Sequence, residues 1–157
     1  MNDSKHADFI SDIRVRFEKG DDAVEGKLAE RRNTELVQAI YCAISTGDIE
    51  AFRNALSTEI EFEIIGPTAI PFSGKAKGPN DVVALVGKNF GQIESQLPEV
   101  QDVVAQGDTV VVNAREHGRL RDAASDYVID WVQRFRFSDE KLVFFKQVYS
   151  RANSPDG

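Results

Sequence analysis

The sequence predicts an α+β domain in which helices cover one face of a mostly antiparallel sheet. Three observations lead there. Helical periodicity dominates the chain before Pro98, interrupted by one alternating stretch, EIEFEII. After Pro98 the apolar residues recur at every second position. The resulting order is helix, helix, strand, helix, then four strands in a meander, and segregated runs of helices and strands argue against a βαβ repeat.

The elements follow in order. Residues 1–30 are polar. Phe9, Ile10, Ile13 and Phe17 can share a helical face after Asp3 or Ser4, and Gly20 breaks it. This segment is expected to be a partly helical appendage to a domain spanning 31–151, with 152–157 a frayed tail. From about Ala23 to Ser45 the stripe Val24, Leu28, Leu36, Val37, Ile40, Tyr41 and Ile44 predicts a helix. Gly47 ends it and Asp48 caps the next, whose buried side is expected to be Ile49, Phe52 and Leu56. Glu59–Ile65 alternates Glu with Ile or Phe, a half-buried strand. Gly66–Pro79 is dense in Gly and Pro and reads as a loop. Pro79 opens a third helix with the stripe Val82, Val83, Val86, Phe90 and Ile93. Strands are then expected over 100–106, 109–119, 126–137 and 141–151, with tight turns at Gly107-Asp108 and 138–140 and a loop over 120–125.

Bulk properties exclude several classes. The chain has 157 residues, 41% hydrophobic and 29% charged, values that suit one globular domain with a real core. A net charge of -7 argues against nucleic-acid binding, which needs clustered Lys and Arg. No apolar run approaches the roughly 20 residues of a membrane span, and the N-terminus lacks an apolar signal-peptide core, so a cytoplasmic protein is expected. Cys42, the single cysteine, rules out an internal disulfide and reads as a small buried hydrophobe. No metal-ligand spacing and no Gly-rich phosphate loop occurs, so neither a metal nor a cofactor is expected.

The order of elements and their punctuation resemble the SnoaL-like branch of the nuclear-transport-factor-2-like superfamily, which includes ketosteroid isomerases and limonene-epoxide hydrolases. The matching pieces are ISTGDIEAF, the strand followed by a GP-rich loop with SGKAKG, the VV…V…F helix, AQGDTVVV, and VQRFRF running through a turn into KLV and QVY. The likeness covers about Arg31 to Arg151. It implies a cone-shaped domain, a strongly curved sheet wrapped around three helices with a deep pocket between them. The isomerases pair an Asp base with Tyr and protonated-Asp oxyanion donors. Those positions fall here on Ile64, Ile40 and Gln133. The hydrolases' Asp-Arg-Asp set falls on Glu116, Ala114 and Gln147. Neither residue set is retained.

Strand parity supplies a candidate site directly. Val110, Val112, Ala114, Glu116 and Gly118 share one face, with Glu116 its only charge. Tyr127, Ile129, Trp131, Gln133, Phe135 and Phe137 share another; Val143, Phe145, Gln147 and Tyr149 a third. A buried amide needs partners, so Gln133 among aromatic rings suggests a pocket wall. Glu116 is the candidate acid–base residue. Tyr41, Ile64, Tyr127, Trp131, Gln133, Phe145, Gln147 and Tyr149 are the candidate ligand contacts, with Gln133 and Gln147 the donors expected beside Glu116. Replacing Glu116 by Leu is expected to be tolerated. His117 should face away, beside Asn113 and Arg115. Two readings of function stay open. One is a cofactor-free isomerase or cyclase that abstracts a proton next to a carbonyl of a small apolar molecule. The other is a non-catalytic ligand-binding or dimeric interaction module. A homodimer is expected through Val111, Val128, Val132, Phe144 and Val148 on the opposite face.

Overall fold

In a computed structural model of the protein, residues 25–152 are described. The expected Phe9–Phe17 helix lies outside them. The architecture is α+β: three helices against a curved, open, six-stranded sheet. In chain order the elements are α1 (Glu25–Thr46), α2 (Ile49–Asn54), β1 (Leu56–Ile65), β2 (Gly74–Lys77), α3 (Pro79–Gly91), β3 (Ile93–Gln106), β4 (Thr109–Leu120), β5 (Ser125–Ser138) and β6 (Lys141–Arg151). The sheet order is β2-β1-β6-β5-β4-β3. All neighbours are antiparallel except β1 and β6, which run parallel and close the long connection between the early and late halves of the chain.

The helix ends carry the predicted signals. Gly47 sits at φ 74°, where the Gly47 and Asp48 amides donate to the Ile44 and Ala43 carbonyls, so α1 stops in a glycine-dependent hairpin of hydrogen bonds. The Asp48 carboxylate then accepts from the Ala51 amide at 3.1 Å and starts α2. Further back in α1, the Asn33 side chain donates to the Gly107 carbonyl (3.1 Å) and Glu30 accepts from the Gly107 amide (3.3 Å). Those two bonds pin α1 to the β3–β4 turn, where Gly107 takes φ 60°.

Several sequence expectations are corrected. Gly74–Lys77 is not loop but the edge strand β2, paired with Glu61–Ile64. Four residues between Gly-rich flanks carry too little periodicity to show this. β3 begins at Ile93, not after Pro98, and Ile93 belongs to it rather than to the third helix. Pro98 is tolerated because β3 is an edge strand, where a missing N–H breaks no ladder bond on the open side. Leu56 opens β1 rather than closing α2. In β6 a register shift lies opposite Arg136/Phe137, so Leu142 takes the fully buried place expected of Val143. Cys42 is exposed, not buried. Leu28 and Ile49, expected on buried stripes, are each about half exposed.

The core lies between the helices and the concave face of the sheet. Val37, Ile60, Val82, Val110, Val112, Phe135 and Leu142 are fully or almost fully buried there. Aromatic packing follows the strand register. Phe62 and Phe145 are register partners across the parallel β1–β6 pair and stack at 4.3 Å between centroids. Phe135, the register partner of Phe145 on β5, meets that ring edge-on at 5.0 Å.

Candidate functional site

One end of this core is left open as a cavity of about 140 Å³. Its wall is mostly apolar, and its polar members are few: Tyr41, Ser45, Asn89, Gln96, Glu116, Gln133 and Gln147, with the Trp131 indole. A concave apolar site with a few converging polar groups is the usual form of a small-molecule site.

Glu116 is placed by the β4–β5 register. It lies opposite Ile129, so Tyr127 and Trp131, two residues to either side on β5, are its diagonal neighbours on the same face. Their own register partners are Gly118 and Ala114. Those small residues leave the room the two rings use to lean toward Glu116. A Cβ on Gly118 would stand 2.3 Å from the Tyr127 ring. The Tyr127 hydroxyl donates to Glu116 Oε2 at 2.6 Å, and Trp131 Nε1 donates to Oε1 at 3.0 Å. Glu116 is only 4% exposed. Its pKa is raised: burial outweighs the hydrogen bonds from Tyr127 and Trp131 and a smaller contribution from Gln96, all of which favour the charged form. The Tyr127 hydroxyl is itself pushed up, by burial first and then by the Glu116 charge, and so remains a donor.

A second polar chain crosses the cavity wall. The Tyr41 hydroxyl bonds Gln133 Oε1 at 2.5 Å, and Gln133 Nε2 donates to Gln147 Oε1 at 2.9 Å. Gln133 and Gln147 are direct register partners on β5 and β6. This arrangement leaves the Gln147 amide N–H₂ as the terminal donor of the chain. Tyr41 stays protonated, since burial raises its pKa well above the usual phenol value.

Of the sequence-derived candidates, Glu116, Tyr41, Ile64, Trp131, Gln133, Phe145 and Gln147 stand around this cavity. Tyr127 and Tyr149 do not line it. Tyr127 buttresses Glu116 from behind. Tyr149 is turned into the Gly66–Ser73 loop, where its hydroxyl donates to the Ile70 carbonyl and accepts from the Phe72 amide at 3.3 Å. The expected donors to Glu116 are also corrected: Gln133 and Gln147 bond each other, and Tyr127 and Trp131 hold the carboxyl. Phe72, Asn89 and Gln96 line the cavity and were not anticipated. Asn89 had a signal, since it falls seven residues after Val82 on the buried stripe of α3. Gln96 was hidden by reading Pro98 as a break. Among the described residues, no group of His, Cys, Asp and Glu converges to hold a metal ion.

The chain belongs to the SnoaL-like domain family, whose model matches residues 37–145. No curated protein matches it. Among solved structures, it is similar to an NTF2-like protein from Burkholderia xenovorans, at 23% identity over 76% of this chain and 90% of that one, with a TM-score of 0.69. It is also similar to TerC co-crystallized with polyporic acid (17% identity, 75% and 91% covered, TM-score 0.61). A third likeness is to an LEH-like epoxide hydrolase from M. tuberculosis (14% identity, 75% and 82% covered, TM-score 0.59). These likenesses establish an NTF2-like fold. Of the positions that carry the isomerase and hydrolase chemistry in the resemblance, Ile40, Ile64, Glu116, Gln133 and Gln147 line the cavity.

Proposed function

We propose that the cavity binds a small, neutral, mostly apolar carbonyl compound and that Glu116 moves a proton next to its carbonyl. The observation that carries this reading is the buried carboxyl itself, whose desolvation raises its pKa toward the range in which a base works near neutral pH. Ionised Glu116 takes the proton from carbon. The electron pair passes into the C–C–O system, and the developing enolate oxygen accepts a hydrogen bond from the Gln147 amide. Glu116 then returns the proton, to the same carbon or to another, which is an isomerisation. A carboxylate has about four lone-pair sites, and Tyr127, Trp131 and Gln96 engage three of them, so the residue is held in place without being blocked.

The test is hydrogen exchange into 2-tetralone in D₂O, followed by NMR. The wild-type protein is expected to accelerate it by at least about a hundredfold, the low end for a positioned acid–base group, and Glu116→Gln to abolish that. A second reading has an observation of its own. Ile40, Ile64 and Gln133 replace the isomerase residues, and Glu116 already accepts two bonds from buried neighbours, as a structural carboxyl would. Saturable binding of 2-tetralone without exchange would establish that reading, a ligand-binding module. We further infer a homodimer formed through the convex face of the sheet.

A further inference from the structure

We propose that Asn89 selects the ligand: the cavity takes a molecule that carries a hydroxyl or N–H donor at the end that meets α3. This rests on the small-molecule reading above and adds the ligand's polarity to it. Asn89 is 6% exposed and lies in the cavity wall. Its Nδ2 donates to the Phe72 carbonyl at 2.9 Å. A carbonyl can only accept, so the amide is fixed with Nδ2 on the Phe72 side and Oδ1 on the other. Asn89 Oδ1 is the one buried side-chain polar atom among the described residues with no hydrogen-bond partner.

An orphan acceptor in an apolar wall is costly, and a leucine at this point of the Val82–Val86 stripe would avoid the cost. The loop carbonyl explains Nδ2 and does not explain Oδ1. Oδ1 has almost no accessible surface at rest, so a small shift of the side chain toward the cavity lets a ligand hydroxyl or N–H give it the partner the protein withholds. The other polar groups of the wall complement this. Gln147 offers a donor, suited to a carbonyl oxygen. Glu116 is already held by Tyr127 and Trp131. The same orphan acceptor rejects an isostere that replaces the donor with a methyl group, because that ligand seals the cavity and leaves Oδ1 unpaired.

Isothermal titration of the full chain with 2-naphthol and with 2-methylnaphthalene tests this, since the two differ only in hydroxyl against methyl. Wild-type protein is expected to bind 2-naphthol at least about tenfold more tightly, and Asn89→Leu to erase the preference. A purely loop-anchoring role for Asn89 would lower stability in that variant but leave the ratio unchanged. Equal affinities in the wild type overturn the assignment; so does a preference that survives Asn89→Leu, which points to Glu116 as the acceptor. Binding of neither compound overturns the small-molecule reading and this inference with it. Asn89→Leu also removes the bond to Phe72, so a readout in the wild type stands beside it. The Asn89 side-chain N–H₂ NMR resonances should shift on saturation with 2-naphthol and stay nearly still with 2-methylnaphthalene. Identical shifts with the two compounds also overturn the proposal.

Discussion

Glu116 shows how one side chain can be set by three neighbours. The apolar wall raises its pKa, while Tyr127 and Trp131 hold both oxygens. The charged form is thus geometrically served and energetically disfavoured, which is the state useful to a proton-transfer group. The linkage follows from the direction of the shift. A carboxyl whose folded pKa lies above its unfolded value favours folding fully only below the unfolded value, near 4.5, and that contribution is lost as pH rises through the folded pKa. Glu116→Gln has no such loss, and the Tyr127 hydroxyl can rotate to accept from the new N–H₂. Thermal melts should therefore show the Gln variant gaining on the wild type from about pH 4.5 upward, then holding a constant lead. A difference that is flat across acid and neutral pH would contradict the raised pKa. Glu116→Leu, which looked tolerable from the sequence, is expected to be worse than Gln at every pH. It strands the Tyr127 hydroxyl and the Trp131 N–H, two buried donors whose loss of partner costs about 1–3 kcal/mol each.

At the scale of elements, the β4–β5 hairpin was legible, and so was the existence of the Gly66–Ser73 loop, but not the face it covers. A hairpin symmetric about the expected loop over 120–125 puts Glu116 opposite Ile129, as found. Strand parity therefore put Glu116, Trp131 and Gln133 on one concave surface. Parity says nothing of how far a ring leans, which is why Tyr127 and Trp131 were named as ligand contacts and not as the partners of Glu116. Tyr149 was misplaced for another reason. Its face was right, but the loop that covers that face has no period to read. Gly66 makes the cover possible: a Cβ there would fall 2.3 Å from the Tyr149 ring. The Tyr149 hydroxyl then serves the Ile70 carbonyl and the Phe72 amide, while Asn89 and Gln92 hold the Phe72 and Pro71 carbonyls. Tyr149→Phe keeps the ring and removes these bonds. It should lower stability by about 1 kcal/mol, the usual net worth of a hydrogen bond, since the Phe72 amide keeps the Ile70 carbonyl at 2.9 Å as its other partner. It should also speed hydrogen exchange at the Phe72 amide ahead of the strand amides of β5. Unchanged exchange at Phe72 would mean that the Ile70 carbonyl, with Asn89 and Gln92 bracing the loop, protects that amide without Tyr149.

For the whole molecule, the sheet has two faces with opposite fates. The concave face is covered by helices and cavity. The convex face carries Arg115 and Asp130 as an ion pair at 2.9 Å, the Phe144 ring beneath Arg134 and Arg136, and two valines that are about half exposed, Val132 and Val148. Val132 and Val148 are direct register partners, so they form one apolar spot in the middle of the convex face rather than two scattered contacts. Next to it Arg134 and Lys146 are also register partners, two like charges side by side, with Glu63 of β1 the register partner of Lys146 on its other side. A second copy related by a two-fold axis that reverses strand direction sets this basic pair toward Asp130 of its mate and covers the valines. The homodimer inference thus makes a definite demand on Val132 and Val148. Val132→Asp together with Val148→Lys places a compatible ion pair across β5 and β6, so the monomer should fold and unfold cooperatively as before. The interface loses its apolar centre and gains two charges to desolvate. Sedimentation velocity should show wild-type dimer and variant monomer at the same micromolar concentration. A wild-type monomer, or a variant that still dimerises, would remove the convex face from consideration and leave its valines as ordinary exposed surface.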